Sequence, residues 1–151
     1  LPPSPTTTPI FASEEEALSA AEEAYAAYLE MSNLISSEGG VDPERIAPFV
    51  TEEQLADELD ASAYLLDNGL RSIGEAQLRS AALQQYSENG VAEIVIYVCV
   101  DVSRVRAIDT GGQDVTPPDR QSIVPLEVVI RADHSATLIA DSNQWPGSAF
   151  C

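Results

Sequence analysis

Near Leu70 the apolar residues of this chain change their spacing from about 3.6 residues to 2, so a helical half must be followed by a half built of strands. The clearest strand signal runs from Val91 to Ile108, where Ile94, Ile96, Val98, Val100 and Val102 share one face and Glu93, Val95, Tyr97, Cys99, Asp101 and Ser103 the other. One face of that strand belongs to a core. A weaker strand is expected before it, near Ile73 to Tyr86, joined through Ser87-Glu88-Asn89-Gly90 as a hairpin with a positive-φ glycine. After it come a polar loop, Asp109 to Asp114 with Pro117-Pro118, a strand from Ser122 to Arg131, a turn at Ala132-Asp133-His134-Ser135, and a last strand from Ala136 to Asp141.

The helices carry their own punctuation. Ser13-Glu14-Glu15-Glu16 is a capping box, and Leu18, Ala21, Tyr25, Tyr28, Leu29 and Ile35 form the apolar side of the helix it opens, which Gly39-Gly40 ends. Asp42 as N-cap with Pro43 at the first helical position predicts a short helix that Pro48 stops. Thr51-Glu52-Glu53-Gln54 is a second capping box, with Leu55, Leu59, Ala63 and Leu66 as the expected buried stripe and Asn68-Gly69 as the stop. Helices followed by an antiparallel meander of about four strands make an α+β fold, with the N-terminal helices packed on the sheet. No internal repeat is present.

Charge removes whole classes of function. The 151 residues hold 25 acids against seven bases, all of them Arg, for a net charge of −18. Nucleic acids and anionic lipid surfaces repel such a chain. The first 60 residues carry 14 acids and one Arg, net −13, so the helical layer holds most of the excess. No run reaches the roughly 18 apolar residues of a membrane span. Residues 1–12 open on a stretch with Pro2, Pro3, Pro5 and Pro9 and no charge, which reads as an extended spacer, with a single domain over 13–151. A spacer of this kind fits a processed, exported chain with a lipid anchor upstream; the other reading is a trimmed terminus of a cytoplasmic protein.

Two cysteines, Cys99 in the apolar strand and Cys151 at the last position, are expected to pair. Closing a loop of roughly 50 residues would stabilise by about 4 kcal/mol and imply an oxidising compartment. The other reading is one buried thiol and one incidental thiol.

Ligand types limit the chemistry. His134 is the only histidine and falls on a turn between Asp133 and Ser135, a placement unlike the oriented imidazole of a nucleophilic triad. No His-Glu-x-x-His or Cys-x-x-Cys occurs, the Asp109–Asp114 loop lacks the ligand alternation of a calcium loop, and Gly111-Gly112 leads into prolines rather than a helix. Neither a metal nor a cofactor is expected.

The order of long helix, short helix, third helix and long curved strands over roughly residues 13 to 145 resembles the nuclear transport factor 2-like, cystatin-like α+β superfamily, and the chain looks like its exported bacterial lipoproteins. The residues that carry the likeness are the capped helix with Tyr25, Tyr28 and Leu29, the Asp42-Pro43-Glu44 helix, and the strands from Leu70 to Asp141. The resemblance implies a conical pocket between sheet and helix, used for catalysis in some members and for binding or dimerisation in many others. In its isomerases a pocket carboxyl works with a tyrosine hydroxyl. Residues of suitable type here are Asp101 with Tyr25 or Tyr28, and also Tyr97, Asp57 and Asp60. Asp101 would have to find a partner among Arg104, Arg106 and Arg131 or shift its pKa. Three functions are therefore expected in turn: a non-catalytic binding or scaffold module of the cell envelope, facing an envelope protein or a small apolar ligand; an isomerase or dehydratase of ketosteroid-isomerase type with an enclosed cavity of roughly 300 Å3; and a homodimerisation module.

Overall fold

A computed structural model describes residues 8–146 and 150–151. Its elements are α1 (Glu14–Ser37), a 3-10 helix (Pro43–Phe49), α2 (Glu52–Asn68), β1 (Arg71–Ile73), β2 (Gln77–Glu88), β3 (Ala92–Asp101), β4 (Arg106–Ile108), β5 (Ile123–Ala132) and β6 (Thr137–Gln144). The α+β arrangement of helices on an antiparallel sheet is the expected one. Residues 1–7 of the expected spacer lie outside the described residues. At its other end Ile10 and Phe11 donate their backbone N–H groups to Glu88 of β2, and Phe11 meets Tyr86 edge-on.

Both capping boxes form. Ser13 Oγ accepts from the Glu16 N–H at 3.1 Å while Glu16 reaches back to the Ala12 N–H, and Thr51 Oγ1 accepts from the Gln54 N–H at 3.3 Å. The short helix differs from expectation. Asp42 sits in the left-handed region without a side-chain cap, and Pro48 lies inside the last turn. A single short 3-10 segment needs few ladder bonds. Arg45 supplies the missing ties by donating to the carbonyls of Val41 and Asp42 while pairing with Glu38 at 2.7 Å.

The two long strand signals each divide. The Ile73–Tyr86 stretch becomes β1 and β2 around Gly74, which has φ +78 and packs so close to the Arg104 backbone that a Cβ there would overlap the Arg104 carbonyl oxygen. The Val91–Ile108 stretch becomes β3 and β4. β1 and β4 form a two-stranded ribbon apart from the main sheet, whose order is β2-β3-β5-β6. β3 pairs with β5 without interruption from Ala92↔Ala132 to Asp101↔Ile123, whereas β2 carries irregularities between Leu78 and Ser80 and between Leu83 and Gln85.

The core lies on the inner face of the sheet. Ile94, Ile96, Val98 and Val100 of β3, Val128 and Ile130 of β5 and Ile139 of β6 pack against Ala17, Ala21 and Tyr25 of α1, with Ile35, Ile46 and Val50 closing the end. Two alanines one turn apart let the α1 backbone approach the sheet closely. The outer edge of β6 is met at Ile139, which bridges Val50 and accepts the Thr51 N–H at 2.9 Å. On the outer face Cys99 is joined to Cys151 with Cα atoms 5.8 Å apart. Trp145 and Phe150 lie over the middle of the sheet rather than its edge, with ring centroids 5.1 and 4.7 Å from Tyr97. The bridge to central strand β3 draws the tail there.

The face that α2 buries also differs from expectation. Gln54 and Ser62 are buried and Glu58 is half-buried, whereas Ala63 is exposed and Leu66 is 50% exposed. Of the expected stripe, Leu55 packs against the core and Leu59 is half-buried, and polar residues at four-residue spacing share the buried side with them.

Candidate functional site

The expected carboxyl-and-tyrosine pocket is not assembled. Tyr25 and Tyr28 project from α1 on the inner side, but Asp101 is the last residue of β3 and stands on the same outer face as Tyr97 and Cys99. Its Oδ1 accepts the Ser103 N–H at 2.9 Å, and the Ser103 hydrogen bonds hold its pKa below the usual carboxylate value, aided by Arg79 and Arg104. A proton donor in an apolar pocket needs the opposite shift. The cross-strand ion pair weighed for Asp101 is absent among the described residues: Arg106 lies 3.8 Å from Asp114 and Arg131 3.9 Å from Glu93. Tyr97 lies under the tail, and Asp57 and Asp60 face solvent on α2. The space between α1 and the sheet is filled by the core itself.

The tyrosines meet a carboxylate that the sequence reading passed over. The Tyr28 hydroxyl donates to Glu58 Oε1 at 2.5 Å, Gln54 Nε2 donates to the same oxygen at 3.1 Å, and the Tyr25 and Tyr28 rings lie 5.5 Å apart. Burial, and then the Glu58 charge, push the pKa of both phenols far above 10. Both stay protonated, and Tyr28 is the donor to Glu58. Beside them a hollow of about 60 Å3, lined by Ser32, Ile35, Ile46 and Ser62, has room for about two waters and no substrate. The Gln54-Glu58-Ser62 spacing was the available signal, hidden because polar residues are not sought on a buried stripe.

The open concavity of the molecule lies elsewhere. Between the second half of α1 and the β1 end of the ribbon runs a trough of about 700 Å3 with Met31, Leu34, Phe49 and Ile73 in its lining and Glu30 and Glu75 beside Arg71. Leu34 and Ile73 are 44% and 45% exposed. A second hollow of about 370 Å3 shares Glu30, Asn33 and Glu75 and continues along α1 past Ala26 and Leu29. Asn33 separates the two as a strut. Its Nδ2 donates to the Ala76 carbonyl at 2.9 Å and its Oδ1 accepts the Ala76 N–H at 3.0 Å, so an α1 side chain completes the backbone pairing of the β1–β2 turn. Sequence periodicity gives no sign of this groove, because its wall is the ribbon created by the two strand breaks.

His134 lies exposed on the β5–β6 turn, where Asp133 Oδ1 accepts from the Ser135 N–H, the Ser135 hydroxyl and the Ala136 N–H. In the 109–114 loop Asp109 Oδ1 accepts from the Gly111 and Gln113 N–H groups, so its carboxylate serves the turn. Among the described residues no group of three or more His, Cys, Asp or Glu side chains converges as metal ligands do, and no helix is long and apolar enough to cross a membrane.

The chain is similar in fold to the intermembrane space region of chloroplast protein ARC6, with a TM-score of 0.59 and 13% identity over 86% of this chain and 97% of that one. It is similar also to a periplasmic fragment of TraM, with a TM-score of 0.56 and 14% identity over 89% of this chain and 98% of that one. No family model and no curated protein matches the sequence. At such identities the likeness establishes the fold.

Proposed function

We propose that this chain is an exported or lipid-anchored, non-catalytic binding module of the cell envelope that takes a partner protein's apolar, basic segment in the trough along α1. The trough carries the reading: it is open and apolar-lined, and the strut from Asn33 keeps it formed without a partner. Glu30 and Glu75 on its wall, within a helical layer of strongly negative charge, select a cationic flank on the segment that enters. Export is supported by the Cys99–Cys151 bridge and by two fold neighbours, one an intermembrane space region and the other a periplasmic fragment. The kinship with nuclear transport factor 2-like proteins is part of the same proposal and rests on the order of elements.

The test uses source cells whose thiols are alkylated before lysis. The proposal expects the chain in the envelope fraction without reactive thiols, and a photo-cross-linking residue at Ile73 that yields an adduct lost on Glu30→Arg with Glu75→Arg. A cytosolic chain with two reactive thiols overturns the export reading. The same adduct from a cross-linker at Tyr64, on the far surface of α2, overturns the trough.

A further inference from the structure

The two edges of the main sheet are unlike. β6 is met at Ile139 by Val50 and Thr51, whereas β2, twelve residues long, has β3 on one side and, among the described residues, no backbone partner on the other. A row of unpaired N–H and C=O groups on a long edge is a template for another strand. Only two residues of β2, Arg79 and Glu88, carry charge.

We propose that β2 pairs antiparallel with β2 of a second copy of this chain, with a two-fold axis between Leu83 and Gln84, so that Arg79 lies opposite Glu88, Ser80 opposite Ser87, Ala81 opposite Tyr86 and Ala82 opposite Gln85. The register follows from faces and charge. Pairing with β3 puts Ala81, Leu83 and Tyr86 on the inner face, opposite Val98, Ile96 and Ile94, and Ser80, Ala82, Gln85 and Ser87 on the outer face. Directly opposed residues of antiparallel strands share a face. The two longest self-pairings that satisfy this differ in what they set opposite Arg79. One is centred on Ala82 and leaves Arg79 opposite Gln85. The other is the one proposed, and it alone brings both charges together, twice per dimer by symmetry. Small Ala81 then faces large Tyr86 on the inner side.

The charged groups are available for this. The Ile10 and Phe11 N–H groups and the Tyr86 hydroxyl all donate to Glu88 Oε1, which leaves Oε2 without a bond among the described residues. Arg79 is exposed and forms no ion pair among the described residues. This pairing uses Arg79 to Glu88 of β2, none of which lines the trough or its continuation.

Sedimentation of the oxidised chain across a concentration series, at about 0.15 M salt to screen the net charge, reads the association. The expected result is a monomer–dimer equilibrium that Arg79→Glu weakens about tenfold or more, since each dimer then sets two like-charged pairs opposite each other. Arg79 makes no ion pair among the described residues and acts on Asp101 only through its charge, so the melting temperature of the dilute variant should change far less than the association does. Chains carrying Ala82→Cys and Gln85→Cys, mixed and mildly oxidised, should give a mixed covalent dimer. A chain that stays monomeric throughout overturns the proposal, and so does an Ala82→Cys chain that cross-links only to itself.

Discussion

The Tyr28 hydroxyl reaches across from α1 to Glu58 of α2 at 2.5 Å, making a phenol and a carboxylate the main polar tie between the two long helices. Glu58 has Gln54 as its other donor, so the cluster is satisfied from both sides. Removing one member of such a cluster leaves a half-buried charge short of a partner. Tyr28→Phe should lower the free energy of unfolding by about 1–3 kcal/mol, and Glu58→Gln should cost less because its amide oxygen still accepts the Tyr28 proton. Urea denaturation of the two variants measures the order, and equal losses would contradict it.

Alkaline solution should act on the same pair. The folded-state pKa values of Tyr25 and Tyr28 lie above that of an unfolded tyrosine, first through burial and then through Glu58. Stability from these groups is therefore fully present below about pH 10 and is lost as pH rises beyond it, when the unfolded chain releases the protons first. Urea midpoints between about pH 8 and pH 11 should fall, less steeply in Tyr28→Phe. A flat profile would show that the phenols are not held neutral by folding.

The bridge between Cys99 and Cys151 closes a loop of 52 residues in sequence separation. In the chain-entropy account its reduction should cost about 4 kcal/mol. Cys151→Ser should also release Trp145 and Phe150 from Tyr97, seen as increased quenching of Trp145 fluorescence by iodide.

Asn33 holds the β1–β2 turn by two hydrogen bonds to one residue. Asn33→Ala should destabilise by about 1–3 kcal/mol. Asn33→Asp should fall between, since a carboxylate still accepts the Ala76 N–H but presents no donor to its carbonyl. Amide exchange at Ala76 separates local loosening of the trough wall from global unfolding.

Two glycines with almost the same φ should respond differently. Gly74 and Gly90 have φ of 78 and 77, yet a Cβ at Gly74 meets the Arg104 backbone while one at Gly90 meets nothing within 4 Å. Gly90→Ala should cost about 1 kcal/mol from its backbone conformation alone. Gly74→Ala should cost clearly more, because the ribbon must separate. Comparable melting temperatures for the two would contradict the close approach.

What was legible in the sequence was local chemistry. Ser13 with Glu16 and Thr51 with Gln54 mark helix starts through side-chain acceptors a few residues away, and the inner face of β3 follows from strict alternation. What was hidden depends on distant partners. Asp101 reads as mid-strand because Val102 and Val105 continue the apolar run, but the chain turns at Ser103, whose N–H the Asp101 carboxylate accepts. The irregularities in β2 shift its alternation and blur it with β1. Glu58 was missed because its burial is possible only with Tyr28 and Gln54 beside it.

The closure of β6 at Ile139 has a consequence for growth. A sheet with two bare edges can add copies at both ends and lengthen into a fibre. Here a copy joined through β2 turns its β6 outward, and that edge already has Val50 and Thr51 on it. Addition along β6 is therefore obstructed at Ile139, and a seed of this protein should elongate poorly past two chains.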